Sequence, residues 1–214
     1  MNKRRKNKYI PHLAEFFFQP EYNWSKSEAQ AMYSETISKD KDLIVYQDCI
    51  EGMKTMAAES VDLVIADPPF GISFSGKESV YNRKASNVVG EYQEIETNYF
   101  EFSQHWIAQI PRILKKTGSA YFISGYSNLK EILIAIDDAG LTLINHIIWK
   151  YQFGVFTRNK FVSSHYHILF VVKDPDNYFF HKIEHYVEDV WDDISRKYKM
   201  NQKKNGTKLP IELV

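Results

Sequence analysis

Apolar positions show no sustained period through residue 40 and become regular from Asp42 onward. The run Leu43-Ile44-Val45-Tyr46 predicts a buried strand, Ile50 to Met56 a short helix, and Val61-Asp62-Leu63-Val64-Ile65-Ala66 a second strand that stops at Asp67-Pro68-Pro69. Residues 71–98 are polar, with Gly71, Gly76 and Gly90, and are long for an idle connection, so a substrate-facing loop is expected there. Phe102, Trp106, Ile107, Ile110, Ile113 and Leu114 recur at helical spacing, with Pro111 as a kink and Lys115, Lys116 and Gly118 as a stop signal. Ala120-Tyr121-Phe122-Ile123 reads as a strand. Asn128 then caps a helix from Leu129 to Ala139 that ends at Gly140, and Leu141–Trp149 and Tyr166–Val172 follow as two consecutive strands. Strand and helix alternate, which predicts an α/β fold with a mostly parallel sheet, the last strand pair forming an antiparallel edge hairpin.

The chain has 214 residues, 44% hydrophobic and 25% charged, enough for one sizeable core and little more. Two regions are expected: an N-terminal extension over residues 1–40, opening with Lys3, Arg4, Arg5, Lys6 and Lys8, and a main domain over residues 41–214. No apolar run approaches the length of a membrane span and the basic start lacks a signal-like apolar stretch, so a cytoplasmic protein is expected. Cys49 is the single cysteine, which rules out an intrachain disulfide and a cysteine-based zinc cluster. A formal net charge of zero means that contact with nucleic acid must come from local patches.

Candidate chemistry concentrates where the second strand ends. Asp67-Pro68-Pro69-Phe70 is placed at the carboxyl edge of a parallel sheet, where such folds carry their sites. Taken alone, two prolines after a strand are an ordinary turn. The same four residues also suit an exocyclic amino group of a nucleobase, whose lone pair is delocalised into the ring and whose hydrogens must be held by acceptors. Asp67 can accept one N–H and the Pro68 carbonyl the other, Pro69 helps restrict the backbone, and the Phe70 ring can stack on a base rotated out of a duplex.

The stretch from Tyr46-Gln47-Asp48-Cys49 through Asp67-Pro68-Pro69-Phe70-Gly71 resembles the opening of the amino-methyltransferases of prokaryotic restriction–modification systems. Pro111-Arg112-Ile113-Leu114-Lys115, Ile147-Ile148-Trp149-Lys150 and Phe161-Val162-Ser163-Ser164-His165 also have counterparts there, so the likeness covers roughly residues 42–214. The resemblance implies a Rossmann-like methyltransferase sheet and S-adenosylmethionine as methyl donor. It also implies DNA as substrate, with methylation of an everted adenine, or of cytosine. Asp67, Pro68, Pro69 and Phe70 are then catalytic, and Asp48, Cys49, Asp67 and Lys208 lie on the donor side. The family usually has a tighter Lys-Pro where this chain has Lys208-Leu209-Pro210. An aspartate at the head of the motif leans toward adenine. Related tetrapeptides headed by asparagine serve RNA or protein, which leaves those substrates as an alternative.

Family members hold the donor on a glycine-rich turn, yet none of the nine glycines here lie two apart. The donor pocket and its sheet are therefore expected to be incomplete in this chain: either the sequence is a fragment, or a second polypeptide carries the glycine-rich half, or the chain is a noncatalytic DNA-binding remnant or subunit; a homodimer is a further partner expectation. Lys150, Arg158 and Lys160 surround Tyr151, Phe153 and Phe156, and Lys150, Tyr151, Arg158 and Lys160 are the expected DNA contacts. His165 and His167 share a strand face and His181 and His185 have helical spacing, but neither pair has a clear completing ligand, so no metal is expected.

Overall fold

The computed structural model describes residues 45–71, 95, 98–151, 158–181, 186–194, 209 and 213. The expected extension over residues 1–40, most of the 71–98 loop, Phe153, Phe156, His185 and Lys208 lie outside the described residues.

Helix α1, Cys49–Thr55, starts where Asp48 Oδ1 accepts the N–H groups of Ile50 and Glu51 at 2.9 and 3.0 Å. Its last carbonyls are taken from outside: Arg112 donates through both terminal nitrogens to the carbonyls of Met56 and Met53. Strand β1 follows over Val61–Ala66, as predicted. Helix α2, Tyr99–Ile107, is capped by Asn98 and buries Tyr99, Ser103, Trp106 and Ile107, one stripe of the helical period. The expected break near Pro111 appears as a new four-residue turn, α3 over Ile110–Ile113, with the proline in its first turn where no N–H is required.

Strand β2 spans Leu114–Ser124 and so begins before the predicted Ala120. Leu114, with no exposed surface, pairs with Val61; Leu63 pairs with Ser119, so the intervening lysines and Gly118 are accommodated as an irregularity within the strand. Helix α4 covers Leu129–Asp138 and ends at Gly140, whose φ of 70° suits glycine. Strands β3, Thr142–Lys150, and β4, His165–Val172, then pair antiparallel as anticipated, and a two-residue β5, Val190–Trp191, runs beside β3.

The sheet order is β1-β2-β4-β3-β5. Among these strands only β4 opposes the others in direction, and it lies inside the sheet between β2 and β3 rather than at an edge. There it is paired along both of its backbone edges, with β2 and with β3, and its buried side chains alternate between the two faces of the sheet. Val45 and Tyr46, expected in a buried strand, belong to no strand and are 38% and 65% exposed; they lead straight into the Asp48 cap.

One face of the sheet, through Val64, Ala120, Phe122, Leu169 and Val171, packs on the helices through Trp106, Ile107, Ile110, Ile132 and Ile136. The opposite face, through Ile123, Ile147, Trp149, Ile168, Phe170 and Val172, is covered in part by Tyr178, Trp191, Ile194, Leu209 and Leu213. A cavity of about 270 Å³ opens on this second face, against Leu63, Ile65, Tyr121 and Ile123. No described helix is long and apolar enough to cross a membrane.

Candidate active site

Strands β1, β2 and β3 end at one rim of the sheet, where β4 begins: Ser124 pairs with His167 and Lys150 with His165. The tetrapeptide Asp67–Phe70 leaves β1 at this rim. Pro68 and Pro69 are buried, and Asp67 and Phe70 are partly buried.

Three side chains from elsewhere in the chain hold this turn. Tyr99, at the start of α2, donates its hydroxyl to the Pro69 carbonyl at 2.7 Å in a buried bond. Asn128 donates from Nδ2 to the carbonyls of Phe70 and Gly71 at 2.7 and 3.1 Å. Asn128 occupies the N-cap position of α4 as expected, but its side chain makes no capping bond and its Nδ2 instead serves the turn. Gly71 has φ of 59°, and a Cβ there would overlap the Tyr99 ring, so the position requires glycine on both counts. The Phe70 ring lies against Gly125, where an added Cβ would stand 3.3 Å from Cδ2, and against Tyr166, 5.3 Å away between ring centroids. Tyr166 in turn touches Tyr151 at 4.9 Å and Trp149 at 5.6 Å. Phe70 is thus the outer member of an aromatic cluster built at the rim. The Pro68 carbonyl accepts no hydrogen bond from the described residues, although those of Pro69 and Phe70 are both engaged.

Asp48 is exposed and spends Oδ1 on the α1 cap. Burial pushes the Cys49 thiol up to about 11, helped by the neighbouring Asp48 carboxylate, so it stays protonated at neutral pH and is a poor nucleophile. Lys150, Arg158 and Lys160 are exposed, whereas Tyr151 is only 8% exposed and contributes its ring to the cluster behind Phe70. Lys160 Nζ donates to the Tyr126 hydroxyl at 3.3 Å.

His146 Nε2 and His167 Nδ1 are 2.7 Å apart on the helix-covered face, and His165 packs edge-on against His167. Burial, then the neighbouring His146 and His165, lowers His167 to about 4, and His167 Nε2 is buried without a hydrogen-bond partner among the described residues. No group of three or more His, Cys, Asp or Glu among the described residues is arranged to hold a metal.

The family model described as DNA methylase matches residues 61–213, from the first residue of β1 to the last part of the chain. The chain belongs to this DNA methylase family. It is 31% identical over 153 residues to the Type II methyltransferase M.HinfI of Haemophilus influenzae, an alignment covering 69% of this chain and 43% of that protein. It is 26% identical over 115 residues to the Type II methyltransferase M2.DpnII of Streptococcus pneumoniae, covering 53% and 43%. The chain therefore spans less than half the length of either relative. Among solved structures, that of M1.HpyAVI superposes with a TM-score of 0.49 at 16% identity, covering 71% of this chain and 65% of the other.

Membership agrees with the resemblance carried by Asp67-Pro68-Pro69-Phe70. The sequence does not mark Tyr99, Asn128, Gly125 and Tyr166 as the residues that pack on and bind the Asp67–Phe70 turn. Asn128 left one signal there: a polar residue after Gly125-Tyr126-Ser127 at the start of a helix, read as a cap.

Proposed function

We propose that the protein carrying this chain transfers a methyl group from S-adenosylmethionine to the exocyclic amino group of an everted adenine, or of cytosine, in DNA, as part of a restriction–modification system. The observation that carries this reading is the pattern of engaged carbonyls in the tetrapeptide. Tyr99 and Asn128 immobilise the carbonyls of Pro69 and Phe70, and the Pro68 carbonyl, to which no described residue donates, suits an incoming N–H. An amino group carries two N–H bonds; the Asp67 carboxylate accepts one and the Pro68 carbonyl the other. Two fixed acceptors orient the nitrogen for in-line attack, with no covalent enzyme intermediate. Phe70, backed by Gly125 and Tyr166, stacks on the base and offsets part of the cost of removing it from the duplex. The aspartate at the head of the motif inclines the choice toward adenine.

S-adenosylmethionine supplies the electrophilic methyl, carried on a sulfonium. Two observations bear on its fit: the Asp48 carboxylate stands exposed at the start of α1, and only its Oδ1 serves the cap. The second oxygen suits a donor hydroxyl, and the carboxylate charge suits the cation. Cys49, Asp67 and Lys208 complete the assignment on that side.

A Gly-x-Gly turn occurs nowhere in these 214 residues, so the glycine-rich part of the donor pocket comes from outside them, from further sequence of the same protein or from another polypeptide. A noncatalytic DNA-binding subunit is the limiting case; calorimetry separates it, since such a subunit binds no S-adenosylmethionine even with its companion present.

Labelled methyl offered in parallel to DNA, RNA and protein tests the function. Label in DNA, recovered as N6-methyladenine or N4-methylcytosine, is expected; label only in RNA or protein, or at a ring carbon, overturns it.

A further inference from the structure

A single exposed apolar side chain is ordinary on a protein surface. Phe161 is less ordinary because of what surrounds it. Its residue is 99% exposed, so it adds nothing to either core, and Val162 beside it is 41% exposed. The preceding residue, Lys160, is tied to Tyr126: its Nζ donates to the Tyr126 hydroxyl at 3.3 Å and stands 5.7 Å from the centroid of that ring. Tyr126 is itself 57% exposed and directly follows Gly125, the residue on which the Phe70 ring packs. The Lys160 contact therefore anchors the segment bearing Phe161 one residue from the platform of the stacking ring, at the rim where β4 begins. Arg158 and Lys160 are exposed cations on the same short segment.

Everting a base leaves a gap in the duplex, and apolar side chains inserted at base steps are a recurrent means of stabilising such unstacked DNA. A ring presented to solvent on a segment with two exposed cations, Arg158 and Lys160, matches a charged polymer with a stacked interior better than it matches an apolar protein surface. We propose that Phe161 is a positioning residue for duplex DNA: its ring enters the stack at the target base pair and fills the place the everted base leaves, while Arg158 and Lys160 sit on flanking phosphates. This rests on the reading of Asp67–Phe70 as the site of that base.

The test uses DNA whose methylated position has first been mapped with the parent protein, prepared as two duplexes, one fully paired and one with an abasic site opposite the target. Phe161→Ala should lower kcat/KM roughly tenfold on the paired duplex and by much less on the abasic one, where little pairing must be broken, and Phe161→Trp should retain activity on both. With 2-aminopurine at the target position, the fluorescence rise on binding should be lost with Phe161→Ala. Equal rates for Phe161→Ala and parent on both duplexes, or an equal loss on both, overturns the wedge. Asp67→Ala is the control: full activity there sinks the base-site reading itself, whereas its inactivity leaves the Phe161 result to be judged alone.

Discussion

The two ends of the sheet are both rich in polar contacts, yet they use them differently. At the end where β1 and β2 begin and β4 finishes, Lys115 pairs with Asp62 at 2.7 Å and Lys173 with Glu59 at 3.0 Å, side chain to side chain, with 40% and 53% of the first pair's side chains exposed. The Lys173 ammonium holds the Glu59 carboxyl below its usual range, first by hydrogen bonding and then by charge. At the opposite rim two neutral, partly or fully buried side chains are directed at the backbone of one turn: Tyr99 to Pro69, Asn128 to Phe70 and Gly71. Exposed ion pairs are screened and contribute little. Buried bonds to carbonyls fix a backbone, because breaking one strands a desolvated acceptor. What distinguishes the end bearing Asp67–Phe70 is therefore not how much polarity it holds but what that polarity immobilises.

The sharpest way to break this contrast is to disturb the turn through its backbone. Gly71→Ala forces a side chain into the left-handed region and into the Tyr99 ring, and should cost roughly 3 kcal/mol in denaturant unfolding; an unchanged midpoint would mean that the turn is not held as described. Tyr99→Phe removes only the hydroxyl and leaves the Pro69 carbonyl buried without that donor. A loss of about 2 kcal/mol is expected, with methyl transfer reduced roughly tenfold. Lys115→Gln at the other end should cost less than about 1 kcal/mol, a difference that shrinks further in salt, and leave methyl transfer unaltered.

The histidine cluster supplies a pH test. His167 titrates near 4 in the folded protein, below the ordinary 6.5, because burial and then His146 and His165 disfavour its charged form. Burial, then His165, also lowers His146, against the pull of Asp189. Between those values the unfolded chain binds more protons than the folded one. Stability should thus be complete above about pH 6.5 and decline as the pH falls toward 4. His167→Gln should flatten that part of the pH–stability profile; an unchanged slope would place the effect elsewhere.

Much of the fold was legible because its elements are locally periodic. Strand β1 was read to the residue and α4 to within one, since each buries a regular stripe. The early start of β2 was hidden by Lys115, Lys116 and Gly118, which look like a helix stop and instead sit within an irregular pairing with β1. The interior placement of β4 depends on which strands pair across the sheet, and local alternation does not encode that. In the same way Asp67–Phe70 stood out as a motif, but its supports did not: Tyr99 lies 30 positions from Pro69 and Asn128 lies 58 from Phe70, too far for any sequence period to connect them. Tyr151 was expected among the DNA contacts for its basic neighbours, and its burial beside Tyr166 became visible only with β3 and β4 in register.

The central claim is that Asp67 and the Pro68 carbonyl grip the amino group that receives the methyl. Single-turnover transfer of labelled methyl to mapped DNA, measured for Asp67→Ala beside the parent and with thermal unfolding recorded for both, addresses it most directly. A fall in rate of roughly 10²–10³-fold with little change in melting temperature is predicted; transfer at the parental rate would contradict it.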